Sequence, residues 1–311
     1  MQQVWIDSDM GFDDLAAVLT VAHTPGWAID GLSLVAGNAP LEVVIDNALR
    51  SATCFGWRFP IHAGCATPLL GPMVTAQNIL GGDAMRSAGR QLPPQRGLLA
   101  PESAIDALRS YLQTAQQPVN ILALGPLTNL ATLMQQSPQL KQRVGRLVWM
   151  GGSQTAGNHT AAAEFNAAVD PEAVQVVLDA ALPLQMVGLD ACRQVQVDAA
   201  DCDLLRQGGT QKAHLLADLL LGYVQIAAAN GNNSMALYDP CAAAAMLHAA
   251  SVAMQPAHIV MELVGIHTRG MTVVERRVPR RAAANAQVAG VVNAGAVRSI
   301  VLDALRRAAA L

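Results

Sequence analysis

The chain has 311 residues, enough for one large core or two ordinary ones, and is 52% hydrophobic with only 14% charged residues. A net charge of −3 gives no electrostatic case for a nucleic-acid partner. No run reaches the roughly eighteen uncharged apolar residues of a membrane span, since the Ala-rich stretch 241–254 is broken by His248 and Ser251.

Apolar β-type runs then alternate with helical patterns. A strand is predicted over residues 3–7, a helix over 13–23, a strand over 29–37, a helix over 41–54 and a short strand over 61–64. Residues 67–99 are rich in Gly and Pro and lack periodicity, which predicts loops around a short helix and a candidate lid. The alternation resumes with a helix over 104–114, a strand over 119–124, a helix over 127–136, a strand over 146–150, a helix over 171–180 and a strand over 184–188. The last third reads as mostly helical, over 198–207, 210–229, 240–248 and 294–310, with a hairpin-like pair at 258–265 and 271–276. The fold class implied is α/β, a largely parallel sheet with helices on both faces, in a single domain over 1–311. The basic cluster at 275–281 reads as a solvated loop. Five cysteines without CxxC spacing indicate neither a disulfide framework nor a zinc site. With no basic-then-apolar leader, the expected location is cytoplasmic and the thiols reduced.

Chemistry concentrates at the predicted strand ends. Four aspartates, Asp7, Asp9, Asp13 and Asp14, fall within eight residues after the apolar Val4-Trp5-Ile6. The carboxyl edge of an open α/β sheet is where ligands bind. Like charges so close raise one another's pKa, and a hard divalent cation with oxygen ligands removes that penalty. Helix capping by Asp9, with Asp13 and Asp14 at the positive end of the dipole, accounts for one or two acids but poorly for four. The Asp7-x-Asp9 spacing also resembles the nucleophile loop of haloacid-dehalogenase-like phosphotransferases, to which the pair Asp13-Asp14 is foreign.

Further along, Asn38 follows Leu34-Val35-Ala36-Gly37. Leu124-Gly125-Pro126-Leu127-Thr128-Asn129 ends another strand, with the Leu124 carbonyl a possible neutral ligand and Pro126 suited to the first helical position. Strand residues up to Met150 run into Gly151-Gly152, Gly157-Asn158-His159 and Glu164-Phe165-Asn166. Two amides and a carboxylate suit a polyhydroxylated ligand, although each alone fits ordinary loop polarity. Asp170 reads as an N-cap. Asp239 reads as an N-cap with Pro240 at N1, which explains it locally. Cys241 reads as a small buried thiol.

The order of these segments resembles the inosine–uridine nucleoside hydrolase family over essentially the whole chain. The matching segments are Asp7-Ser8-Asp9-Met10-Gly11-Phe12-Asp13-Asp14, Gly37-Asn38, Gly125-Pro126-Leu127-Thr128-Asn129, Trp149-Met150-Gly151-Gly152, Gly157-Asn158, Glu164-Phe165-Asn166, Asp170-Pro171-Glu172 and Asp239-Pro240. The resemblance implies a Rossmann-like α/β fold and a Ca²⁺ ion held by Asp9, Asp14, Asp239 and the Leu124 carbonyl. It implies that Asp13, Asn38, Asn158, Glu164 and Asn166 grip the ribose of a nucleoside, with Met150 packed beside it. It also implies that Asp9 is the general base that activates a calcium-bound water, and that the chain is a homodimer or homotetramer. Where base-nonspecific and pyrimidine-preferring members carry His before the last aspartate, this chain has Tyr238. An aromatic residue there suits stacking on a purine or donation of a proton to the leaving base. A calcium–ribose binding protein without turnover is the alternative that keeps the same pocket.

Overall fold

The computed structural model describes residues 1–229, 231–278 and 282–310. Pro279, Arg280 and Arg281 of the basic cluster therefore lie outside the described residues. The strands are β1 (Gln2–Ser8), β2 (Trp27–Leu34), β3 (Ile61–Ala63), β4 (Val119–Ala123), β5 (Val144–Met150), β6 (Leu184–Val187), β7 (Gln196–Asp198), β8 (Ser234–Ala236), β9 (Val252–Met261), β10 (Thr272–Glu275) and β11 (Ala286–Val292). Among the described residues nine of them form one sheet, in the order β10-β9-β11-β6-β5-β4-β1-β2-β3. The run from β11 to β3 is parallel, and β9 pairs antiparallel with both β11 and β10.

The parallel strands read as nearly continuous apolar runs because both faces are buried. On one face Val4, Ile6 and Leu122 pack with the helices Phe12–Ala22, Leu41–Phe55, Gln211–Ala228, Asp239–Leu247 and Ala294–Ala310. On the other, Trp5, Ile121 and Trp149 pack with Ala104–Thr114, Thr128–Gln136 and Pro171–Asp179. The chain winds from β1 outward to β3, then returns to β4 on the other side of β1. Strand order thus reverses between β1 and β4, which opens a crevice at their carboxyl ends.

Several expectations need correction. Pro126 lies before the helix Thr128–Gln136, whose N-cap is Leu127, because the turn after β4 takes two more residues than the first-turn position of a proline allows. Asp239 is the first helical residue rather than the cap, and Tyr238 occupies the N-cap position. No strand was expected at β7, β8 or β11, and β9 begins at Val252, earlier than the pair predicted at 258–265. β11 is a strand because it bridges β6 and β9, a tertiary pairing rather than a local preference.

Candidate active site

The loop after β1 is built to turn carboxylates inward. Met10 is fully buried and has φ 40, a strained value for a side chain with a Cβ. Its N–H donates to Ser8 Oγ at 3.1 Å, and Asn47 Nδ2 donates to its carbonyl at 3.0 Å. Asp14, on the first turn of the helix Phe12–Ala22, is wholly buried. It accepts Ser8 Oγ at 2.6 Å, Gly11 N at 2.8 Å, Asp9 N at 3.2 Å and Asn38 Nδ2 at 3.3 Å. Capping is therefore real, but Asp14 performs it, and the helix N-cap is Gly11.

Strand register brings the other groups to this loop. Asp7 stands beside Ser33 of β2 and Ala123 of β4, so the chain just beyond each strand converges on Asp9. Asn38 N donates to Asp9 Oδ2 at 2.7 Å. Gly37 lies so close that a Cβ there would fall 2.1 Å from Asp9 Oδ2. Asp239 arrives from the distant helix Asp239–Leu247, and Asp13, Asp14 and Asp239 each place a carboxylate oxygen within 4.8 Å of the others. The tightest trio thus contains Asp13 where Asp9 was expected, with Asp9 bordering it through Asp14.

Burial first, and mutual repulsion second, push the Asp9, Asp13 and Asp239 carboxyls upward, Asp13 to about 7. The Asp14 carboxyl is also raised by burial, against the lowering effect of its hydrogen-bond donors. Among the described residues no Arg or Lys forms an ion pair with any of the four. A largely buried cluster of four acids without a side-chain cation is matched by a hard divalent metal. The donor set therefore fits such an ion: the carboxylates plus the Leu124 carbonyl. That carbonyl accepts Asn166 Nδ2 at 2.8 Å and keeps a second lone pair.

These groups border a cavity of about 580 Å³. Asp9, Asp13, Asn38, Leu124, Met150, Asn158, Glu164, Asn166, Tyr238 and Asp239 all line it, and Asp14 lies beneath. Glu164 is almost fully buried and caps the helix Phe165–Val169. It accepts Gly152 N at 2.8 Å, Asn166 N at 2.8 Å and Ala167 N at 3.0 Å. Gly152 reaches it with φ 70, where a Cβ would also meet Met186 Sδ at 2.7 Å. Burial pushes the Glu164 carboxyl up to about 7 against those donors. Asn166 also donates to the Met150 carbonyl at 3.0 Å, joining the ends of β4 and β5. Asn158 Oδ1 accepts Phe165 N at 2.9 Å.

Tyr238 lines the same cavity, its phenol pushed up to about 12 by burial. His159 lines it too, edge-on to Phe165 at 5.6 Å. Asn78, Ile79 and Leu80 of the expected lid contribute a wall. Tyr223 escaped the sequence: its hydroxyl donates to the Ala236 carbonyl at 2.9 Å and lies 3.4 Å from Asp13 Oδ2. In the apolar run of the helix Gln211–Ala228 nothing local distinguishes it from core.

Asp7 is placed differently from its neighbours. It is wholly buried, accepts Asn129 Nδ2 at 2.7 Å, leaves Oδ2 without a partner and is absent from the cavity wall. A nucleophile must reach its substrate, so the phosphotransferase alternative fails on burial. Asp170 is the N-cap expected, accepting Ala173 N at 3.0 Å, and Cys241 is a buried free thiol.

The model of the inosine-uridine preferring nucleoside hydrolases matches residues 4–299. A pyrimidine-specific ribonucleoside hydrolase, RihA of Enterobacter sp. (strain 638), is 33% identical over 273 residues, 87% of each chain. Among solved structures, a purine-preferring ribonucleoside hydrolase from Gardnerella vaginalis superposes with TM-score 0.92 at 23% identity, over 99% of both chains. An inosine-guanosine nucleoside hydrolase superposes with TM-score 0.87 at 25% identity, again over 99% of both.

Proposed function

Since the chain belongs to the inosine-uridine preferring nucleoside hydrolase family and is an enzyme of ribonucleoside hydrolysis, we propose that it works with calcium at the carboxylate cluster. The observation that carries this is the meeting of Asp13, Asp14 and Asp239, with Asp9 beside them, at one cavity, where no Arg or Lys among the described residues forms an ion pair with any of the four. Asp9, Asp14, Asp239 and the Leu124 carbonyl would hold the ion. When bound it supplies Lewis acidity, which eases deprotonation of a water, and it anchors the sugar diol.

The protein's own groups do the rest. Asp9, with one oxygen committed to Asn38 N, accepts the proton of the attacking water through the other. As the bond from C1′ to the base lengthens, the ribose gains positive charge. Asp13 and Glu164 favour that charge over the neutral ground state, and Asn38, Asn158 and Asn166 orient the hydroxyls. Met150 packs beside the sugar. Tyr238 receives the base; its high pKa keeps the hydroxyl protonated at neutral pH. The enzyme acts as a single domain on a free nucleoside, in the cytoplasm and as a homodimer or homotetramer.

Two observations pull base preference in opposite directions. The aromatic Tyr238 offers stacking area that favours a purine, whereas the relatives at 33% identity are named pyrimidine-specific. Ribose release from inosine and from uridine, measured on calcium-loaded protein and after chelation, tests the whole scheme. Release that depends on calcium supports it, and the ratio of the two rates assigns the base. Full activity after exhaustive metal removal would overturn the calcium assignment.

A further inference from the structure

Two charged side chains on one short turn have no part in the chemistry above. Asp190 lies in the helix Leu189–Cys192, and Arg193 is its C-cap. Both reach the loop after β5 that leads into the sugar-side wall. The Asp190 carboxylate accepts the N–H of Gln154 and the hydroxyl of Thr155. The Arg193 guanidinium donates to the Ala156 carbonyl at 3.1 Å and to the Gly157 carbonyl at 2.9 Å. Four consecutive residues therefore hang on one acid and one guanidinium three positions apart.

The loop needs such a grip. Thr155, Ala156, Asn158 and His159 are exposed, and the amides of Asn158, His159 and Thr160 share a single acceptor, the Ala163 carbonyl, at 3.1–3.2 Å. The same turn is also fastened to the base-side wall. Leu237 N donates to the Val195 carbonyl at 3.0 Å, and Cys192 Sγ lies 3.6 Å from the Tyr238 carbonyl. One short stretch, 190–195, thus joins the loop bearing Asn158 to the segment bearing Tyr238.

We propose that Arg193 is a positioning residue, whose paired donors to Ala156 and Gly157 set where Asn158 stands relative to Tyr238. The proposal rests on the nucleoside hydrolase reading of the cavity. Its specific content is bidentate geometry. A planar guanidinium bridges two adjacent carbonyls, whereas a lysine ammonium is a point donor that cannot hold the same fork. Misplacement of a sugar-orienting amide by about 1 Å costs on the order of a hundredfold in rate.

Arg193→Ala and Arg193→Lys, made in the full chain and calcium-loaded, test this by kinetics and by hydrogen exchange over residues 154–163. The alanine variant is expected to lose about ten- to a hundredfold in kcat/KM, with faster exchange confined to that segment. Guanidinium ion at millimolar concentration should restore part of the loss, and the lysine variant should recover little. Wild-type kinetics and wild-type exchange in Arg193→Ala would overturn the proposal, as would full recovery by lysine, which would make charge alone sufficient. If the wild type releases no ribose from any nucleoside, the reading of the cavity fails. The exchange measurement still decides the clamp.

Discussion

Asp9 and Tyr238 carry the sharpest consequences at the scale of single residues. Asp9→Asn keeps an acceptor for Asn38 N but cannot take a proton, so ribose release should fall by about 10²–10⁴-fold with the fold intact. An active Asp9→Asn variant with an unchanged circular dichroism spectrum would exclude Asp9 as the base. For Tyr238 the high phenol pKa argues for stacking over acid catalysis. Tyr238→Phe should therefore turn over nearly as fast as the wild type, and Tyr238→Ala slowly. A loss of about a hundredfold in the phenylalanine variant would assign proton donation to the hydroxyl instead. Asp7 supplies a contrast within the same motif: one residue type, two positions apart, with entirely different access to the cavity.

At the scale of elements, the site depends on how closely the turns after β1, β2 and β4 approach. Gly37 is the clearest case, because a methyl group there would overlap Asp9 Oδ2 and come within 2.9 Å of Pro126 Cδ. Gly37→Ala should leave the sheet folded but displace Asp9, lowering kcat by at least about tenfold. Thermal unfolding measured beside turnover separates the two effects. A variant with normal kcat would show that the loop relaxes without moving the carboxylate. The helices Ala104–Thr114 and Ala294–Ala310 match their sequence periodicity to the residue, since amphipathic stripes are local signals. β7 and β8 span three residues each, too few for alternation to register.

Across the whole molecule, the buried acids make stability depend jointly on pH and metal. In metal-free protein the Asp7, Asp13 and Glu164 carboxyls are pushed up to about 7, chiefly by burial. Between their ordinary values and about 7 the folded state binds more protons than the unfolded chain. Their contribution to stability is therefore present at acid pH and lost as pH rises through about 7. A divalent ion held by Asp9, Asp14 and Asp239, whose carboxyls burial raises as well, competes with the protons there, so calcium should raise the Tm more at pH 8 than at pH 5. At a hundred times its Kd a ligand adds about 2.7 kcal/mol. A calcium-induced shift in Tm that is equal at both pH values would argue against coordination by these carboxylates. Asp7→Asn should narrow the metal-free difference between pH 5 and pH 8, because the variant cannot bury an ionised group at that position.

Much of this was legible in the linear chain. Asp7 to Asp14 follow a buried strand so closely that the segment reads first as a metal site, with helix capping the lesser account, and the spacing of the later polar segments marks the family. Strand–helix alternation implies the parallel sheet for the same reason, because burial on both faces leaves continuous apolar runs. Tertiary structure alone decided which acids face the cavity. Asp7 and Asp9 stand two positions apart and are alike in sequence, yet only packing buries the first behind Asn129. Nor could any local pattern reveal that Tyr223 borders Asp13, or that Arg193 grips Gly157. Such contacts join residues tens to hundreds of positions apart, and only the closed sheet brings them within reach.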